Sequence, residues 1–320
     1  MQISKVFEIF MVEKEASCSA KTLIYYRENL EKFFDYVSVT LDKQFVFIDC
    51  SELTRDLLIG YLAFLRQRYN YNLTDRRIKN TSVNTYYRAV KVFVNFCMEE
   101  EYIKTDILRK IKLPRSDEDA IIPLYNEEVL RIDNLFNAKT ESGLRNLCII
   151  HLMLDAGLRS GEVVKLRVCD VDFDKNIIKV FGKGGKYRVV LLCPKLKRLL
   201  IRYKLLYRSF VQDLESNCDY LSNPLFVQIG SSEFINANVI KQLFHRIKRS
   251  SGIDRVHPHL LRHTFATSYI MGGGNLEFLR MMLGHFDYSI TRKYLHLGNQ
   301  YMMMSADIYK LDSVFFKNAY

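Results

Sequence analysis

The chain has 320 residues, 48 % apolar and 13 % aromatic, enough for real cores over about two domains and too much for a disordered chain. A formal net charge of +11 and a pI near 9.2 favour a polyanionic partner, since each Lys or Arg set against a phosphate releases counterions. No run reaches the ~18 apolar residues of a membrane span, and charges interrupt the opening "MQISKVFEIFMVEKEAS", so neither a transmembrane helix nor a signal peptide is expected. Cys18, Cys50, Cys97, Cys148, Cys169, Cys193 and Cys218 are odd in number and lack C-x-x-C spacing. They read as reduced thiols of a cytoplasmic protein, with no zinc knuckle.

The first ~115 residues show helical periodicity. A first helix begins near Ile3. In "SAKTLIYYRENLEKFFDYV", Ser19 is the expected N-cap, and Leu23, Tyr26, Leu30, Phe33 and Val37 line one face. "SELTRDLLIGYLAFLRQRYN" repeats the pattern with Leu58, Tyr61, Leu62 and Leu65, and "TSVNTYYRAVKVFVNFCMEEEYI" with Tyr86, Val90, Phe93 and Cys97. Four such helices make a small bundle. "LPRSDEDAIIP" then breaks the period with two prolines and an acidic run, and reads as a linker. The expected organisation is a helical domain over 1–113, a linker over 114–123 and a second domain over 124–320.

The second domain is mixed. "LRNLCIIHLMLDAG" is apolar nearly all round and so a buried helix, with His151 a satisfied core histidine. "CDVDFDKNIIKVFGKGGKYRVVLL" holds three short β-rich runs parted by "DKN" and "GKGGK", a small antiparallel sheet. Helical segments resume from Pro194.

Four stretches here can carry chemistry. In "DAGLRSGEVVKL" the buried helix stops at Gly157 and Ser160 can cap the next, which leaves Arg159 at a helix N-terminus suited to an anion, with Glu162 able to hold it; an ordinary helix–helix turn reads the same way. "GKGGK" lacks the spacing of a nucleotide phosphate loop. It suits a hairpin tip that projects Lys183 and Lys186, either into a DNA groove or simply into solvent. In "HPHLLRHTFAT", Pro258 opens a helix that sets His259 and Arg262 three apart on one face, where a guanidinium and an imidazole can serve one phosphate. In "LGHFDYSITRKYLH", Asn275 caps the preceding helix, Gly284 ends it and His285 follows; Tyr294 either packs beside Ile290 or has a chemical task.

In order, Arg159, Lys183, His259, Arg262, His285 and Tyr294, within "GLRSGE", "GKGGKYRVVLL", "HPHLLRHTFAT", "LGH" and "TRKYLH", resemble the tyrosine recombinase (phage integrase) family over the whole chain. The resemblance implies a mainly α fold with a small antiparallel sheet: a SAM-like core-binding bundle followed by an α+β catalytic domain. It implies that Tyr294 attacks a DNA phosphodiester to form a 3′-phosphotyrosyl bond, with His259 taking part in proton transfer. Arg159, Arg262 and His285 would meet the charge on the phosphorane. Lys183 would protonate the leaving 5′-oxygen, Lys186 would contact backbone, and Glu162 would support Arg159 from behind. Neither metal nor ATP is implied, because guanidinium groups carry the charge work and the covalent bond keeps the energy of the cut ester. The partners implied are double-stranded DNA with inverted-repeat core sites and a homotetramer or mixed tetramer on two sites, with or without an accessory protein; the location implied is the cytoplasm, in association with the nucleoid. The short stretch before Arg159 points to the compact two-domain, Xer-like or mobile-element type. Met302, Ile308, Leu311, Val314 and Phe315 could dock on a neighbouring protomer or on their own domain. A type IB topoisomerase, a DNA-binding protein with a dead site and a carboxylate–metal transposase are the rival readings.

Overall fold

Amphipathic helices dominate because the apolar residues recur at helical spacing. A computed structural model describes residues 1–67, 78–115, 121–182, 185, 187–207, 223–228 and 233–284. The chain divides into two compact units, Met1–Asp119 and Ala120–Tyr320.

The first unit is helical: α1 (Ile3–Ser17), α2 (Ala20–Leu41), α3 (Arg55–Gln67) and α4 (Asn80–Glu99), with two short 3-10 turns between α2 and α3. Ser19 caps α2 as expected, its hydroxyl accepting from the Thr22 N–H. Leu58, Tyr61, Leu62 and Leu65 of α3 are all buried. The core is held by edge-on aromatic pairs, with ring centroids 5.2 Å apart for Phe7–Phe34, 5.4 Å for Phe10–Phe93 and 5.0 Å for Phe33–Tyr61. Of the face expected on α2, Leu30, Phe33 and Val37 are buried while Leu23 and Tyr26 are half-buried against the core; α4 departs further. Tyr87, 1 % exposed, fills the α4 face, whereas Tyr86 is only half-buried against it. Adjacent helical residues point about 100° apart, and the tertiary packing chooses between them.

In the second unit α5 (Asn126–Asp133) leads to α6 (Glu141–Leu154), whose residues from Gly143 to Leu154 are all buried. It packs against α8 (Pro194–Tyr207) and α10 (Pro258–Met271). Between α6 and α8 lie the short α7 (Ser160–Val164) and the sheet β1 (Val171–Asp172), β2 (Ile177–Phe181), β3 (Tyr187–Leu191). The sheet is antiparallel in the order β1-β2-β3, and Ile178 faces Val190 across β2 and β3, both buried. Helices α9 (Ala237–Ser251) and α11 (Leu276–Leu283) complete the described elements.

His151 is the satisfied core histidine that the sequence suggests. Its Nδ1 pairs with Asp155 Oδ2 and its Nε2 with Asp133 Oδ1, each at 2.9 Å, and Lys195 donates to the far oxygen of Asp133 at 2.8 Å. Six cysteines are described, all free; Cys218 lies outside the described residues, as do Asp117, Glu118, Asp119 and the C-terminal segment from Met302 to Phe315. Among the described residues no helix is long and apolar enough to cross a membrane.

Candidate active site

Three chain segments meet because a glycine lets them. Gly157 follows α6 with φ +65°, and a Cβ there would come within 2.5 Å of Phe265 on α10 and 3.0 Å of Leu283 on α11. Only a residue without a side chain can occupy that backbone region so close to its neighbours. The helix itself ends earlier than the sequence suggests, with Asp155 as C-cap and Gly157 two residues beyond.

Arg159 rather than Ser160 is the N-cap of α7. The cap is made from the other side, since Glu162 Oε2 accepts the Arg159 N–H at 2.7 Å. Arg159 Nη1 also donates to Glu162 Oε1 at 3.0 Å, which leaves the arginine side chain 35 % exposed and aimed by a buried carboxylate.

Pro258 occupies the first turn of α10, where its missing N–H costs nothing. Arg262, one turn in, is buried. Its Nη1 donates to the Gly157 carbonyl and its Nη2 to the Leu283 carbonyl, both at 2.6 Å. Arg262 thus bridges the turn before Arg159 to the end of α11. That end is formed as expected: Asn275 caps the start through the Glu277 and Phe278 N–H groups, and Gly284 stops the helix at φ +63°.

Electrostatics mark His259 as part of the same cluster. Burial lowers its pKa first, and the charges of His257, Arg262 and Arg159 lower it further. The imidazole is held neutral, the form able to accept a proton. His263 is driven down to about 4 by burial and by His259, Arg262 and His257. Glu162 has the opposite balance. Burial pushes its carboxyl up, but hydrogen bonds and charge from Arg188, then Arg159, more than offset this and leave it below the ordinary carboxylate range.

Of the expected site residues, Arg159, Glu162, His259 and Arg262 are therefore brought together. Lys183, Lys186, His285 and Tyr294 lie outside the described residues. No group of three or more His, Cys, Asp or Glu side chains set to hold a metal occurs among the described residues.

Sequence reasoning missed Arg188. It stands on β3 with Val190 on the sheet's inner face, and its guanidinium forks onto Glu162, Nη1 to Oε1 at 2.7 Å and Nη2 to Oε2 at 2.8 Å. The signal was available: an arginine at an inward position of an alternating strand needs a buried acceptor.

Residues 123–300 match the phage integrase family, and residues 2–113 match the phage integrase SAM-like domain. The chain belongs to the phage integrase family, the tyrosine recombinases. Members of this family cut and rejoin DNA strands, so the chain is a DNA-binding recombination enzyme. Its sequence is 29 % identical over 292 residues to tyrosine recombinase XerC of Staphylococcus saprophyticus, covering 91 % of this chain and 92 % of that protein. It is 28 % identical over 292 residues to tyrosine recombinase XerC of Bacillus pumilus, covering 91 % and 90 %. The fold of this tyrosine recombinase resembles that of the XerH site-specific recombinase bound to palindromic difH substrate, with a TM-score of 0.68 at 21 % identity over 92 % of this chain and 81 % of that one. It also resembles a lambda integrase (75–356) dimer bound to a COC′ core site, with a TM-score of 0.67 at 16 % identity over 92 % and 95 %. A SAM-like helical bundle followed by an α+β catalytic domain is thus the architecture.

Proposed function

We propose that this tyrosine recombinase is site-specific and uses Tyr294 as its nucleophile. The Tyr294 hydroxyl attacks the scissile phosphorus and forms a 3′-phosphotyrosyl bond. A phenol has a pKa near 10 and needs help to lose its proton at the moment of attack; neutral His259 gives that help. Arg159 and Arg262 meet the non-bridging oxygens of the phosphorane, where one such donor is worth roughly 3 kcal/mol or more. His285 adds a hydrogen bond, Lys183 protonates the leaving 5′-oxygen, and Lys186 holds backbone. Attack by a partner strand's 5′-hydroxyl on the phosphotyrosine then exchanges the strands, with no metal or ATP consumed.

The observation that carries this reading is that Arg262 of α10 reaches the Gly157 carbonyl, two residues before Arg159, while His259 of the same helix feels the charges of both arginines. The domain limits we assign are 1–113, a linker 114–123, and 124–320. The substrate is double-stranded DNA whose core site is an inverted repeat, bound by a homotetramer or mixed tetramer that joins two sites with or without an accessory protein. The palindromic substrate of XerH and the core-site dimer of lambda integrase lend support to that assembly.

Covalent capture tests the reading on unselected DNA. The protein is incubated in EDTA with nicked, sheared genomic DNA from its source, and SDS-resistant protein–DNA adducts are collected and sequenced. Adducts are expected with the wild type and with Arg159→Ala only at a greatly reduced rate; Arg159 is the cleaner arginine to remove, because buried Arg262 also ties two carbonyls together. DNA binding without any adduct would favour a protein with a dead site.

A further inference from the structure

The largely covered arginine on β3 has no role in the chemistry just described, yet it touches two of the elements that carry it. Arg188 is 10 % exposed. Two of its donors fork onto Glu162, and its Nε donates to the Met282 carbonyl at 2.6 Å, so each of its three nitrogens already serves a protein acceptor. Its stem passes against the end of α11, where a Cβ on Gly284 would come within 3.0 Å of Arg188 Cδ.

Two branches leave this side chain. Along the first, Glu162 takes both the N–H and the Nη1 of Arg159, so the fork from Arg188 fixes the carboxylate that fixes Arg159. Along the second, Met282 and Leu283 offer carbonyls that the helix leaves without an intrahelical partner. Arg188 takes the first and Arg262 the second. Two arginines from different elements thus pin successive carbonyls at the point where α11 ends, directly before His285.

We infer that Arg188 is a positioning residue for DNA cleavage, holding Arg159 through Glu162 and the end of α11 through Met282. The inference rests on the phosphoryl-transfer reading above. Its logic is electrostatic as well as geometric. A carboxylate beside a DNA phosphate repels it, and Glu162 stands one hydrogen bond from Arg159. Flanked by Arg159 and Arg188, the trio carries a net positive charge, so Arg159 is oriented without presenting a bare anion to the substrate. Lysine cannot replace this residue in kind, because it has no planar fork to span both oxygens and a third acceptor.

The test uses the full-length protein and a nicked duplex bearing the core site recovered from wild-type adducts. Arg188→Ala and Arg188→Lys are compared with wild type for thermal melting, duplex Kd and single-turnover adduct formation, with and without millimolar guanidinium. The expected result is an adduct rate about 100-fold lower for Arg188→Ala, as for a misplaced catalytic group, with Kd within about twofold and part of the rate restored by guanidinium. Arg188→Lys should fall between and carries the comparison if Arg188→Ala melts below the assay temperature. In a Glu162→Gln background, removing Arg188 should cost less than it does in the wild type, the remaining loss coming from the Met282 carbonyl. An Arg188→Ala rate equal to wild type, or a loss that appears equally in Kd and ignores guanidinium, overturns the inference. A wild type that forms no adduct at all sinks the cleavage reading first and this one with it.

Discussion

Replacing His151 tests how the catalytic domain is held together. The imidazole lies between Asp155 and Asp133, with Lys195 on the far side of Asp133, and so ties α5, α6 and α8 into one unit. Burial pulls the His151 pKa down, but the two carboxylates outweigh it and the group is pushed up to about 9. Moving a histidine from an ordinary 6.5 to about 9 is worth roughly 3 kcal/mol of folding stability. Because the folded pKa is the higher one, that contribution is complete below about pH 6.5 and disappears as pH rises through about 9. Asp133 works in the opposite direction. Burial raises its pKa, yet His151 and Lys195 leave it lowered, so its share is lost as pH falls into the carboxylate range. His151→Ala should therefore cost about 3 kcal/mol or more near pH 6 and much less above pH 9. Urea titrations of both proteins at the two pH values measure this. A difference in stability that stays constant across that range would refute the assignment of a charged His151.

Other outcomes follow from the same geometry. Since burial and the charges of His257, Arg262 and Arg159 lower the His259 pKa, adduct formation should hold level down to the ordinary histidine range and decline only below about pH 6.5; a single-turnover pH profile that already falls above pH 7 contradicts a neutral His259 acting as base. Gly157→Ala places a Cβ at φ +65° and 2.5 Å from Phe265, so it should destabilise by roughly 2–5 kcal/mol in urea unfolding. Because Arg262 anchors to the Gly157 carbonyl, that variant should also lose adduct rate, and an unchanged rate would uncouple the two.

The features legible in the sequence are local. Ser19 and Asn275 announce their caps because short polar side chains before an apolar run have few other uses, and Leu58, Tyr61, Leu62 and Leu65 announce a buried face by spacing alone. The β-runs around "GKGGK" show themselves through branched residues and turn chemistry. What could not be read was which partner a buried group would find. His151 is plainly interior, but Asp133 comes to it from another helix. Arg188 sits inside the "GKGGKYRVVLL" motif, yet its acceptors Glu162 and Met282 belong to elements that meet only in the folded domain. The cap of α7 failed for a related reason. Ser160 has the right side chain, but Glu162 already supplies the oxygen to the Arg159 N–H, which makes Arg159 the boundary.

Tyr294 is the residue proposed to carry the cleaved DNA strand. The most direct measurement is tandem mass spectrometry of the trapped adduct after nuclease and trypsin digestion. Cleavage after Lys293 and Lys310 releases "YLHLGNQYMMMSADIYK", in which Tyr294 competes with Tyr301 and Tyr309. A nucleotide 3′-phosphate is expected on Tyr294 and on neither of the others, with no adduct from Tyr294→Phe. Attachment at Tyr301, Tyr309 or a residue outside this peptide would contradict it.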